Sequence, residues 1–251
     1  MHCSANGINL PLYSIKHTLI VNEILASLNI AIVYINHTNN PLEAIFFFPV
    51  ESMSIQSMTI STKNQKRIAK IAAKEKVETI YSKEITKGNN PVMLYESQTG
   101  NEINMSIGLL GPKESVTIEL ELCFIPNVSH YCYCLTIPTK YIPNNEYSQP
   151  IEKEESKTCL ASEYTLEFDC KISSETPISL ITSKNHKMDI TLSSTKKEVH
   201  AFFKSKGCQN HPIEILFRNE SLYKPIIKVY KQPSINEYAV NISYCYSTLQ
   251  P

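Results

Sequence analysis

Hydrophobic and polar residues alternate along most of this chain. In segment 115–124, SVTIELELCF, Val116, Ile118, Leu120 and Leu122 fall on one side, while Thr117, Glu119 and Glu121 fall on the other. That period of two marks a strand with one buried face. The same reading predicts strands at 53–62, 67–72, 131–137 and 164–172. Segment 13–35 alternates imperfectly but is rich in β-branched residues, and it predicts two strands with a turn near Asn22 and Glu23. Segment 43–50 carries three consecutive phenylalanines and ends at Pro49. Such a run predicts a strand buried on both sides, between a sheet and a helix. Segments 92–96 and 102–107 read as a hairpin around 97–101.

The period changes once. Val77, Ile80, Tyr81 and Ile85 share one helical face, Lys74 and Glu78 form an i,i+4 pair, and Gly88 follows as a stop. This predicts one short amphipathic helix over 73–87, with Tyr81 packed on the sheet beside the phenylalanine strand. Beyond a segment rich in Pro, Asn and Glu at 138–157, the strand pattern resumes. It predicts strands at 178–181, 187–192, 198–203, 213–217, 226–230 and 238–246. The expected architecture is all-β, mainly antiparallel β-sandwich units with one short helix in the first. The expected boundaries are 7–145 for the first domain, 146–157 for a linker, 158–246 for a second β-rich domain and 247–251 for a C-terminal tail.

Composition narrows the reading. At 251 residues and 42% hydrophobic content the chain can bury a sizeable core. Lys plus Arg equals Asp plus Glu at 24 each, so no net field draws nucleic acid or an anionic membrane, and no charge repulsion keeps copies apart. No 18-residue apolar run is present, and the N-terminal segment lacks the charged and apolar regions of a secretory signal. The eight cysteines are too sparse for a small disulfide scaffold and form no CxxC, so they are expected as reduced core thiols. Asn-x-Ser/Thr triplets start at Asn36, Asn104, Asn127, Asn219 and Asn241. Asn127 is the one expected in an exposed turn.

Candidate chemistry is sparse. GxSxG, HExxH and Walker A patterns are absent from the sequence. His17, His130, His186 and His211 sit among polar or turn residues and are expected at the solvated surface. Asp189 to Ser193 superficially matches an adhesion-type metal loop, but its alternation reads as strand. The basic stretch of Lys63, Lys66, Arg67, Lys70, Lys74 and Lys76 reads as a solvated hairpin tip and helix start, with a polyanion patch as the sharper alternative. No catalytic, cofactor-binding or metal-ligating residues are expected. The 14 tyrosines matter more. Tyr141 and Tyr147 in the linker, and Tyr244 and Tyr246 at the C-terminus, are candidate interface residues, because an apolar ring with a hydroxyl suits both core and protein interface.

Three marks in order resemble the vault protein inter-alpha-trypsin (VIT) domain family. The first is Asn40, Pro41, Glu43, Ala44, Phe48 and Pro49. The second is the charged helix with Lys74, Glu75, Lys76, Tyr81 and Gly88. The third is Gly108, Pro112, Glu114 and the strand from Val116 to Leu122, followed by a Pro-rich exit at Pro138 and Pro143. The family's long acidic, alanine-bearing helix is interrupted here by Thr79 and Ile85. The resemblance implies a non-enzymatic module over 7–145, then a bridging β region that in such proteins leads into a von Willebrand factor type A domain. It implies protein partners in a larger assembly, with a type A domain in cis or in trans, no cofactor and no membrane insertion. The expected role is an intracellular structural scaffold, cytoplasmic or cytoskeletal and in narrower form ciliary. The alternative is a secreted matrix-binding module of the inter-alpha-trypsin heavy-chain type.

Overall fold

The computed structural model describes residues 1–5, 8–49, 53–63, 65–69, 94–96, 102–141, 164–206, 211–220, 222–232 and 237–243. The described part before residue 142 holds β1 (His2–Ala5), β2 (Ile8–Asn9), β3 (Leu12–Asn22), β4 (Leu25–Ile35), β5 (Leu42–Pro49), β6 (Ser54–Thr62) and β7 (Lys66–Ala69). It continues with β8 (Leu94–Glu96), β9 (Glu102–Leu110), β10 (Ser115–Phe124), β11 (Asn127–Ser129) and β12 (Cys132–Ile137), and ends in a single 3-10 turn at Thr139–Tyr141. After residue 163 come β13 (Thr165–Ser173), β14 (Ile178–Ser183), β15 (Asp189–Leu192), β16 (Glu198–Lys206), β17 (Ile213–Asn219), β18 (Ile226–Gln232) and β19 (Glu237–Ser243).

The backbone is one large sheet packed against smaller ones. Eight strands run in the order β15-β16-β13-β3-β4-β10-β6-β7; five form β2-β1-β5-β9-β8; four form β11-β12-β17-β14; and β18-β19 stand as a pair. The large sheet and the four-stranded sheet each combine strands from both sides of the 142–163 segment. β13 runs parallel to β3 in a nine-residue register from Thr165 opposite Ser14 to Ser173 opposite Asn22, and β12 runs antiparallel to β17. The buried apolar residues accordingly form one cluster that includes Ile15, Leu28, Phe46, Leu120, Leu135, Phe168 and Phe217. Tyr34 of β4 lies 6.3 Å from Phe46 of β5, which marks the contact between the large sheet and the five-stranded one.

Local chemistry explains most elements. β10 buries Val116, Ile118, Leu120 and Leu122 on its inner face, as its alternation requires. β3 alternates imperfectly because its register against β4 shifts between Leu12 and Ser14, so Leu12 and Ile15 both point inward although three residues apart.

Four expectations need correction. Among the described residues there is no α-helix, so the fold is all-β without the expected helix in the first unit; the segment 73–87 lies outside the described residues. The phenylalanine strand is not buried on both faces. Phe46 and Phe48 enter the core, whereas Phe47 points to the other face and stacks on His2 of β1, ring centroids 4.5 Å apart and nearly parallel. Strand geometry forces that alternation, and an N-terminal strand absent from the expectation pairs beside β5 in the same sheet and brings His2 next to Phe47. His17 is fully buried rather than solvated, because it shares the inward parity of Ile15, Leu19 and Val21 on β3. His186 is half-buried and stacks on Phe203 at 4.8 Å, while His130 and His211 are exposed.

Candidate functional site

Two of the three sequence marks meet at Asn36, just past the end of β4. Its side-chain amide donates to the carbonyls of Asn40 at 2.9 Å, Leu110 at 3.1 Å and Gly111 at 3.0 Å. Its side-chain oxygen accepts from Thr38 N at 2.9 Å and Thr38 Oγ1 at 2.7 Å. The backbone closes the clasp: Asn36 N donates to Glu114 O and Lys113 N donates to Asn36 O, both at 2.9 Å. Asn36 is 0% exposed, so its own side-chain amide and oxygen depend on these partners for satisfaction. The first mark's turn at Asn40 and Pro41 is thereby tied to the third mark's turn at Gly111 and Pro112.

The other marks are structural as well. Ala44 is buried opposite Gly108, and the β5–β9 register shifts between Ala44 and Ile45. Gly108 sits at that shift with φ of 85°, a left-handed conformation that a side chain resists. Glu43 lies opposite Leu109, and Pro49 lies opposite Glu102 at the end of the ladder. Glu114 Oε2 accepts from Gly111 N at 2.8 Å, which tightens the turn that carries Pro112.

A second knot joins β3, β5 and the 3-10 turn. Tyr141 is fully buried with its ring 5.4 Å from Phe48. Its carbonyl accepts from His17 Nε2 at 3.2 Å. A carbonyl cannot donate, so Nε2 carries the proton and Nδ1 is the bare nitrogen; Nδ1 is buried and has no hydrogen-bond partner among the described residues. Burial lowers the His17 pKa to about 4, and it pushes the Tyr141 hydroxyl up to about 12. Of the candidate interface tyrosines, Tyr141 is therefore inside the core. Tyr147, Tyr244 and Tyr246 lie outside the described residues, as do Tyr81 and Gly88 of the helix mark.

A third joint lies at the β3–β4 turn. Glu23 has φ of 57° and is 3% exposed. Its amide donates to Ser173 O at 2.9 Å, and its carboxylate accepts from the amide of Glu175 and, at 3.5 Å, from Ser174 Oγ. Asn219 Nδ2 donates to the same Ser174 hydroxyl at 2.9 Å. A shallow depression of about 350 Å³ opens beside this joint, lined by Asn22, Glu23, Glu175, Lys197, Glu198 and Lys228 among others.

Sequence reasoning missed Asn36, His17 and Glu23 as structural centres. Asn36 is followed two residues on by Thr38, a local turn signal that was available. The parity of His17 was also available. Glu23 carries no signal, since its partners lie about 150 residues away. Among the described residues no group of three or more His, Cys, Asp or Glu side chains is arranged to hold a metal ion. Asp189–Leu192 is the exposed edge strand β15. Cys3, Cys123, Cys132, Cys134 and Cys170 are free thiols, and burial raises the pKa of Cys3 and Cys170. No helix among the described residues is long and apolar enough to cross a membrane.

The rat von Willebrand factor A domain-containing protein 5A is 23% identical over 242 residues, covering 91% of this chain and 29% of that protein. Its mouse counterpart is 28% identical over 124 residues, covering 47% of this chain and 16% of that protein. A von Willebrand factor A domain-containing protein of Dictyostelium discoideum is 26% identical over 218 residues, covering 84% of this chain and 24% of that protein. The chain thus spans less than a third of the length of these relatives. The family model of the vault protein inter-alpha-trypsin domain matches residues 12–122, a span that runs from β3 to the inward Leu122 of β10 and contains the Asn36 clasp. Residues 12–122 of this chain are a VIT domain.

Proposed function

We propose that this chain is a non-catalytic protein-interaction module, a rigid bracket that holds a von Willebrand factor type A domain, in cis or in trans, within a larger intracellular assembly. The observation that carries the reading is the VIT domain at 12–122 together with relatives that are named for type A domains. The sharing of sheets across the 142–163 segment supports the bracket: β13 hydrogen-bonded along β3 transmits orientation from the VIT strands to whatever follows. The groups with the most specific geometry, Asn36, His17 and Glu23, are spent on holding backbone. A cytoskeletal or ciliary scaffold is the narrower form of the proposal.

Cross-linking mass spectrometry on native extract tests it. Heterotypic cross-links to a protein with a type A domain, or a single longer polypeptide containing one, are expected. A lone monomer without such links rejects the proposal. Localisation of the tagged chain to cilium or cytoskeleton tests the narrower form. The secreted matrix-binding alternative has one observation in its favour, the exposed Asn127-Val-Ser triplet on β11. An unmodified Asn127 and alkylatable thiols in native protein support the intracellular reading, and a glycan there supports the alternative.

A further inference from the structure

The β18–β19 hairpin presents an apolar face that the other described residues leave largely exposed. Directly opposed residues of an antiparallel pair point to the same side. Ile227 pairs with Ile242, Val229 with Val240 and Lys231 with Tyr238. Ile227, Val229, Tyr238, Val240 and Ile242 are 58% to 64% exposed. Lys228, of opposite parity, is only half-exposed and forms an ion pair with Glu175 at 3.5 Å. The hairpin therefore has one side that carries the Lys228–Glu175 ion pair, with Ala239 and Glu237 exposed on it, and another side that is almost wholly apolar. A two-stranded sheet with one apolar face open to water is marginal on its own.

We propose that this face is the contact between two copies of the chain, packed face to face about a two-fold axis. Size supports a copy as the occupant: five side chains of this exposure offer on the order of 600 Å² per copy, so two copies bury about 1,200 Å², the lower end of specific interfaces. Charge does not oppose it. The chain is net neutral, and the one charged side chain on the face, Lys231, lies over the Tyr238 ring 5.8 Å from its centroid at the rim. This association needs no second protein and stands independently of the type A reading.

Sedimentation equilibrium of the 251-residue chain, from about 1 µM to about 0.5 mM, tests it. A monomer–dimer equilibrium with a Kd of roughly 10–100 µM is expected. Val240→Glu should weaken it at least tenfold with an unchanged thermal melt, and Tyr13→Glu, at an equally exposed tyrosine on the large sheet, should leave it intact. Should Val240→Glu shift the melt, Val240→Thr gives the same readout with a smaller loss. Mixing Val240→Glu with Val240→Lys should restore association. A wild type that stays monomeric throughout overturns the proposal and leaves the face to another protein or a further domain. A dimer lost in Tyr13→Glu but retained in Val240→Glu overturns it equally.

Discussion

His17 and Tyr141 are 124 residues apart in sequence, yet the imidazole Nε2 of one donates to the backbone carbonyl of the other at 3.2 Å inside the core. This bond pins the exit of the β12 strand to the middle of β3. It also makes the fold pH-sensitive. His17 is neutral when folded because burial lowers its pKa to about 4, against about 6.5 when unfolded. Its contribution to stability is therefore complete above pH 6.5, is lost as pH falls towards 4, and declines no further below that. The shift corresponds to roughly 3 kcal/mol. Urea unfolding at pH 7.5 and 4.5 should reveal the loss in the wild type. His17→Gln, which keeps a donor for the Tyr141 carbonyl, should lose markedly less over the same interval.

Asn36 should be the most sensitive polar position. Asn36→Ala removes a donor from the buried Leu110 carbonyl and one of the two donors to the Gly111 carbonyl, which keeps the Glu114 amide, and it frees the Thr38 turn. A loss of about 3 kcal/mol is expected in denaturant titration. Asn36→Asp should fare no better, since a carboxylate cannot donate to three carbonyls. A loss under about 0.5 kcal/mol would mean that the clasp is incidental.

Gly108 tests the bulge. At φ of 85° a Cβ is unfavourable, so Gly108→Ala should cost about 1–2 kcal/mol by chemical denaturation. The comparison is Gly111→Ala, where the backbone is not left-handed and the cost is confined to a small adjustment of Glu114, whose Oε2 would lie 3.0 Å from the new Cβ and accepts from Gly111 N. The ordering of the two variants, rather than either value alone, checks that the left-handed backbone is what requires glycine at 108.

Phe48 fills the space between β5 and Tyr141 and is 1% exposed. Phe48→Ala should cost about 3–5 kcal/mol. Phe47→Ala, which removes only the stack on His2, should cost clearly less. Equal losses would contradict the alternation of buried and half-buried faces along β5.

Glu23 joins the β3–β4 turn to the β13–β14 turn. Glu23→Gln keeps the shape but weakens the acceptor, and a loss of about 1–2 kcal/mol is expected. Amide hydrogen exchange should speed up at Ser174 and Glu175 more than at Leu120 in the centre of the large sheet. Uniform acceleration would show a general rather than a local effect.

Much of this molecule was legible because a strand writes its own period. β10 and β13 follow directly from alternation, and the resemblance to the VIT family rests on turn residues whose conformational needs are local: Pro41 and Pro112 at turns, Gly108 where φ is positive. The short N-terminal strands β1 and β2 were not legible, because four residues and two residues carry too little pattern. The face of Phe47 was not legible either, since composition cannot tell two buried faces from one buried face with a histidine across it.

Alternation alone determined a strand-dominated chain, although the same reading placed a helix at 73–87, and the ordered marks carried a resemblance to the VIT family that the family match at 12–122 supports. Only the tertiary structure decided which strands are neighbours: that β13 lies parallel to β3, that His17 meets Tyr141, and that Glu23 caps a turn about 150 residues away. The physical reason is that period and propensity act within a few residues, whereas pairing between distant strands is selected by how a whole set of side chains fills one core and satisfies its buried polar groups. No short window of the sequence contains that information.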